Sequence, residues 1–186
     1  LPRLWYFPGT SRTMLLPTAD THTSTVSPHS SLVASAEARG ARISLYFARY
    51  GTIPPPASTW RDNGHELALH PYMSGDGVDF STAYQTAQNW FATQGLGAPG
   101  PTVRHHALEW AGWTSPLATL VANGIRMDTS YYAWGPAVYD PTRTSQAHGY
   151  ITGSGLPMRF VDNSGSVFPV YQQVTSLVDE QMLVGY

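Results

Sequence analysis

The stretch Asn63-Gly64-His65-Glu66-Leu67-Ala68-Leu69-His70-Pro71-Tyr72 constrains this chain most. It opens on a Gly turn and runs through three consecutive apolar residues. It ends on a His followed by Pro. An uninterrupted Leu67-Ala68-Leu69 run suits a strand covered on both faces, as in the parallel sheet of an α/β protein. Pro71 has no N–H to give to a ladder, so the strand stops near His70. A His at the C-terminal end of such a strand has two readings. It caps the strand end through one hydrogen bond, or it does metal or acid–base chemistry where α/β barrels gather theirs.

Elements of both kinds alternate along the rest of the chain. Thr13 to Pro17 reads as a first strand ending near Asp20, followed by a polar loop over Thr21 to Ser30. Ser31 to Arg39 reads as a helix closed by Gly40. Ile43 to Phe47 is β-branched and aromatic, a second strand. Thr52 to Ser58, with three consecutive Pro, predicts an extended segment, and a helical turn follows near Trp60. Asp76 to Phe91 predicts a helix, because Phe80, Ala83, Tyr84, Ala87, Trp90 and Phe91 recur on one face. Thr102 begins another strand. Pro116 to Asn123 predicts a helix with Ser115 as its cap and Gly124 past its end. Ile125 to Asp128, Leu156 to Val161 and Ser166 to Tyr171 read as strands, the last two joined by a turn at Asp162 to Gly165. Ser176 to Leu183 reads as a final helix. This alternation predicts an α/β fold with a mostly parallel sheet and helices outside. It does not separate a closed barrel from an open sheet.

Composition narrows the function. The 186 residues carry a net charge of −2, so no basic surface argues for nucleic acid. No apolar run approaches the roughly 18 residues of a membrane span. There is no Cys, which excludes disulfides and thiolate metal sites. There is no Lys either: all ten basic residues are Arg. Only 12% of residues are charged, and Ser, Thr, Gly, Pro and Tyr are abundant. That surface suits an extracellular or wall-facing protein, and the chain starts at Leu1 with no charged-then-apolar leader. The expectation is a secreted or cell-surface bacterial protein.

The motifs resemble those of the polysaccharide deacetylase (NodB-homology) family, in a divergent secreted bacterial branch. Gly64-His65-Glu66-Leu67-Ala68-Leu69-His70 resembles the family's second motif, and Thr18-Ala19-Asp20-Thr21 its first. Arg104 follows a Pro-rich lead-in, as the third motif's Arg does. Gly124-Ile125-Arg126-Met127-Asp128 resembles the strand of the fourth. The resemblance implies a single distorted (β/α) barrel of the NodB-like type over residues 1–186, short of a complete barrel at its C-terminal end. It implies an N-acetylated glycan as partner and a divalent metal, zinc in the first place, as cofactor.

Carried over by position, Asp20 matches the base, His70 the first metal His, Arg104 the Arg that orients the base, and Asp128 the late-strand acid. Three departures stand out. Thr21 occupies the metal-ligand Asp position, Ser74 that of the second metal His, and Tyr171 and Gln172 fill the region of the acid His. His22, two residues past Asp20, and His106, at the end of the Arg104 strand, are candidate replacements. With Asp20 and His70 they would give an N/O site suited to zinc or a similar divalent ion. His105 and His106 point to opposite faces of their strand, and His106 is expected to face the site. Trp110, Trp113, Tyr131 and Trp134 follow strand ends. They either stack on sugar rings or cover the sheet as apolar packing. The functional expectation is a secreted deacetylase-like protein with a rearranged metal site and weak activity. The alternative is a non-catalytic, self-associating extracellular protein on the same scaffold.

Overall fold

The computed structural model describes residues 7, 9–22, 26–51, 53, 54, 56–73, 79–108, 110, 112–131 and 156–176. Strands β1 (Thr18–Thr21), β2 (Ser44–Phe47), β3 (Glu66–Leu69), β4 (Thr102–Val103) and β5 (Met127–Asp128) alternate with helices. Those helices are α1 (Val26–Glu37), α2 (Ala57–Asp62), α3 (Phe80–Ala92) and α4 (Ser115–Ala122). Strands β6 (Met158–Val161) and β7 (Val167–Gln172) follow. The sheet is seven-stranded in the order β1-β2-β3-β4-β5-β7-β6. All neighbours are parallel except β6 and β7, which form an antiparallel hairpin. The α/β architecture with a mostly parallel sheet is as the alternation predicts. Among the described residues no helix is long and apolar enough to cross a membrane.

Register divides the strands into two faces. Leu45, Leu67 and Phe47, Leu69, Val103 lie in register with one another and are fully buried. They meet Phe80, Tyr84 and Phe91 of α3 and Leu117 and Leu120 of α4. Phe91 packs edge-on to Phe47 at 6.3 Å. Helix α3 starts where Asp79 accepts a hydrogen bond from the Thr82 N–H at 3.0 Å, a side-chain cap that fixes its first turn. The alternate residues Ser44, Tyr46, Glu66, Ala68 and Thr102 face the other way, and this inner face is polar. Ser44 Oγ donates to Glu66, and Thr102 Oγ1 donates to Glu66 at 2.8 Å. Tyr46 and Thr102 hydroxyls lie 2.9 Å apart.

The sheet curls strongly toward that polar face. In a flat sheet β1 and β4 would be about 14 Å apart, three strand spacings. Yet Arg104, next after β4, donates to Thr18 Oγ1 of β1 at 2.7 Å and to Thr175 Oγ1, beyond β7, at 3.1 Å.

Several boundaries move from their expected places. The first strand is Thr18–Thr21, and Met14, Leu15 and Leu16 are exposed. Apolarity misleads there because β1 contributes a polar inner face. Helix α1 begins at Val26, inside the expected loop, because Pro28 is tolerated in a first turn. Helix α4 is preceded by Thr114, not Ser115, and no side chain caps it. Trp134 and nearly all of the helix expected over 176–183 lie outside the described residues. Leu69 is fully buried beneath α3, so Leu69→Ala should lower unfolding stability by about 3 kcal/mol, measured by urea denaturation.

Candidate metal centre

The C-terminal ends of β1, β3 and β4 carry the polar inner face beyond the last strand residues. Asp20 and His22, His70 and Tyr72, and Arg104 and His106 each stand two apart in sequence, so each pair points to one side. The three histidines converge. His22 Nε2 lies 2.9 Å from His70 Nε2 and 3.2 Å from His106 Nδ1. The three ligand atoms all lie within 4.8 Å of one another. Beside them the Arg104 guanidinium donates to Asp20 Oδ1 at 3.1 Å, and Arg104 Nε donates to the Thr129 carbonyl at 3.2 Å. The Arg104 guanidinium also lies over the Tyr46 ring, 4.9 Å from its centroid.

Two supports hold the ligand loops. His29 of α1 sits 3.3 Å from the Asp20 carbonyl. Gly51 packs against the strand end: a Cβ there would fall 2.0 Å from the Thr21 carbonyl oxygen and 2.6 Å from that of His22. Neither signal was visible in the sequence, because both depend on where β1 ends.

The donor set fits a cation. Tetrahedral zinc with Zn–N bonds of about 2.0–2.1 Å sets its nitrogens roughly 3.3 Å apart, close to the 2.9 and 3.2 Å that separate His22 from His70 and His106. His70 carries a further sign. Its Nδ1 is buried with no hydrogen bond and lies 4.0 Å from Asp20 Oδ1. With Nε2 given to a cation, Nδ1 would carry the proton and face the carboxylate, as metal-bound imidazoles commonly do.

Electrostatics agree with a neutral imidazole at His70. Burial pushes its pKa from 6.5 down to about 3; Asp20 opposes this, while His22, His106 and Arg104 add to it. At Asp20 burial acts to raise the pKa, but His70, Arg104 and His22 outweigh it and hold the carboxyl below its ordinary value.

The other expected site residues stand elsewhere. Asp128 ends its strand at the same end of the sheet as Asp20, but in register with Val103 on the helix-facing side. Its carboxylate accepts from Ser130 N and Oγ, both at 2.9 Å, and lies 3.2 Å from His105 Nε2. It therefore serves a buried network and does not reach Asp20. His105 packs on Phe80, 4.2 Å between centroids. Thr21 is in register with Phe47 and so is turned from the histidines. An Asp at position 21 would share that parity, on the side of Phe47. Trp110 stacks on Phe160 at 5.3 Å, and Tyr131 and Trp113 pack edge-on to the same ring. The three rings thus gather around the β6–β7 hairpin, with Trp113 still 62% exposed. The aromatic beside the histidines is Tyr72, which the motif reading passed over.

Two solved structures are similar to the chain. One, from Bordetella bronchiseptica, is assigned as a polysaccharide deacetylase involved in O-antigen biosynthesis. It has a TM-score of 0.55 and 15% identity, and the match covers 86% of this chain and 56% of that one. The other is a family 4 carbohydrate esterase from Streptomyces lividans in complex with acetate. It has a TM-score of 0.50 and 16% identity, covering 64% of this chain and 63% of that one. The fold is of the polysaccharide deacetylase, NodB-like type. The chain thus spans less than two thirds of either structure's length. No family model matches the sequence, and no curated protein does. On this deacetylase-like scaffold, Asp20, His70 and Arg104 come together as the motif resemblance implies.

A buried His70 makes the metal-free fold sensitive to acid. Between pH 6.5 and about 4 the unfolded chain protonates His70 and the native state does not. The unfolded state then binds more protons, so stability is lost as the pH is lowered through this window, by up to about 1.4 kcal/mol per unit. Urea denaturation at several pH values in chelator should show this slope, and His70→Gln should flatten it. Gly51→Ala should force the Thr21–His22 backbone aside, seen as a lowered melting temperature and shifted His22 imidazole resonances.

Proposed function

We propose that the protein is a metal-dependent deacetylase acting on N-acetylated carbohydrate. The observation that carries this reading is the convergence of three histidine nitrogens beside the Asp20–Arg104 pair. His22, His70 and His106 would hold a divalent ion, zinc or a similar borderline metal by the softness of imidazole. When bound, such an ion supplies Lewis acidity, polarising the acetyl carbonyl and strengthening water as a nucleophile.

The remaining work falls to the chain's own groups. Asp20 stays ionised across the neutral range and takes the proton of the attacking water. Arg104 fixes the carboxylate's direction, and is itself fixed by Thr18, Thr129 and Thr175. His70 links the two halves: its Nε2 faces the other histidines and would be its ligand atom, and its Nδ1 lies 4.0 Å from Asp20 Oδ1. Tyr171 and Gln172 stand where the motif resemblance would place the histidine that protonates the leaving amine. That role is worth roughly 10²–10⁴-fold in rate, so turnover should be slow. The low charge, 12% of residues, with abundant Ser, Thr, Gly, Pro and Tyr, supports an extracellular location as part of the same proposal.

Acetate release from N-acetylglucosamine oligomers, with zinc or cobalt added, tests the reading. Slow release that chelator abolishes, and that His70→Ala and Asp20→Asn both reduce at least 100-fold, is the expected result. Release indifferent to chelator and to His70→Ala would overturn it. Metal binding with no release would favour a carbohydrate-binding protein on the same scaffold.

A further inference from the structure

We infer that Tyr72 is a positioning residue for the metal centre, holding His106 so that Nδ1, and not Nε2, is its ligand atom. The inference rests on the metal reading above. His22 and His70 each turn Nε2 toward the common point, whereas His106 turns Nδ1. Nδ1 lies close to the backbone, so its direction depends on a narrow range of ring orientations. Something must hold that ring.

Tyr72 is placed to do so. Its ring stacks on His106 with centroids 3.6 Å apart and planes 18° from parallel. The imidazole itself stands almost perpendicular to those of His22, at 89°, and His70, at 86°. Tyr72 therefore supplies the one flat contact among these rings, and the histidines meet His106 only edgewise. Adjacent strand ends bring the pair together. The His106 N–H donates to the Pro71 carbonyl at 3.0 Å, which continues the β3–β4 pairing past its last ladder residues. Tyr50 packs edge-on to Tyr72 at 5.6 Å and backs the ring.

The backbone shows why a packing contact is needed. Ala107 follows His106 at φ 48° and ψ 30°, the left-handed region, and is the one non-glycine among the described residues with positive φ. A left-handed Ala is a locally unfavourable conformation. The turn that follows His106 is thus held by what surrounds it. The phenol face also favours an imidazole that gains positive charge by ligating a cation.

Zinc affinity by competition with a chromophoric chelator, and the visible spectrum of bound cobalt(II), test the inference in the whole chain. The variants are Tyr72→Phe, Tyr72→Leu, Tyr72→Ala and His106→Ala, each checked for folding by thermal melting in chelator. Tyr72→Phe should bind within about threefold of wild type. Tyr72→Leu, similar in bulk but not flat, and Tyr72→Ala should bind about 10–100-fold more weakly, the usual effect of losing a group that orients a ligand. Their cobalt spectra should shift toward that of His106→Ala. Wild-type affinity and an unchanged spectrum in folded Tyr72→Leu would overturn the role of Tyr72 and leave the metal centre standing. No binding by wild type would overturn the metal reading itself.

Discussion

One guanidinium group ties four strand ends together. Arg104, next after β4, reaches Asp20 and Thr18 in β1, Thr129 after β5 and Thr175 after β7. Its planar fork of donors meets partners in fixed directions. A flat sheet would hold these groups apart, so the interaction and the curl of the sheet require each other. The ion pair is partly buried, and an Asp20 left without Arg104 would be a carboxylate without its compensating charge. Asp20, the histidine beside it and the sheet's curvature thus share one contact.

Around that contact the strands keep a two-sided order. Odd-numbered positions such as Leu45, Phe47, Leu67, Leu69 and Val103 supply the layer beneath α3 and α4. Even-numbered positions on the same strands supply Tyr46, Glu66 and Thr102, and past the strand ends His70, Arg104 and His106. The buried Asp128–His105–Ser130 network belongs to the first side. It shows how a one-residue shift in parity sends a titratable pair into the core and away from the chemistry.

Parity also sets what the sequence revealed. The Leu67-Ala68-Leu69-His70-Pro71 run was legible because burial on both sides and a Pro stop leave few other readings. The helical face of α3 was legible from its spacing. The first strand was misplaced because Thr18-Ala19-Asp20-Thr21 carries little apolar signal, while the exposed Met14-Leu15-Leu16 carries much. His22 and His106 entered the reading as replacements for missing ligands, and the two-residue offsets from Asp20 and Arg104 put them on the right side. Tyr72, Gly51 and His29 were not legible. Their roles arise from contacts between segments distant in sequence, and no local pattern encodes such contacts. For Trp110 and Trp113 the sequence left two readings open, because an aromatic after a strand end looks alike whether it meets a sugar or Phe160.

The polar inner face has an evolutionary consequence. Most of the apolar layer lies on one side of the sheet, so positions on the other side that lie past the strand ends, outside the Arg104 contacts, can be exchanged without opening the core. A ligand can migrate along a strand end in steps of two, from one position to the next on the same side, and the scaffold persists. A histidine two residues beyond Asp20 and another two beyond Arg104 have the look of such steps. A chain of this kind can rebuild its reactive centre while its architecture stays still, and sequence similarity then fades faster in the motifs than in the fold.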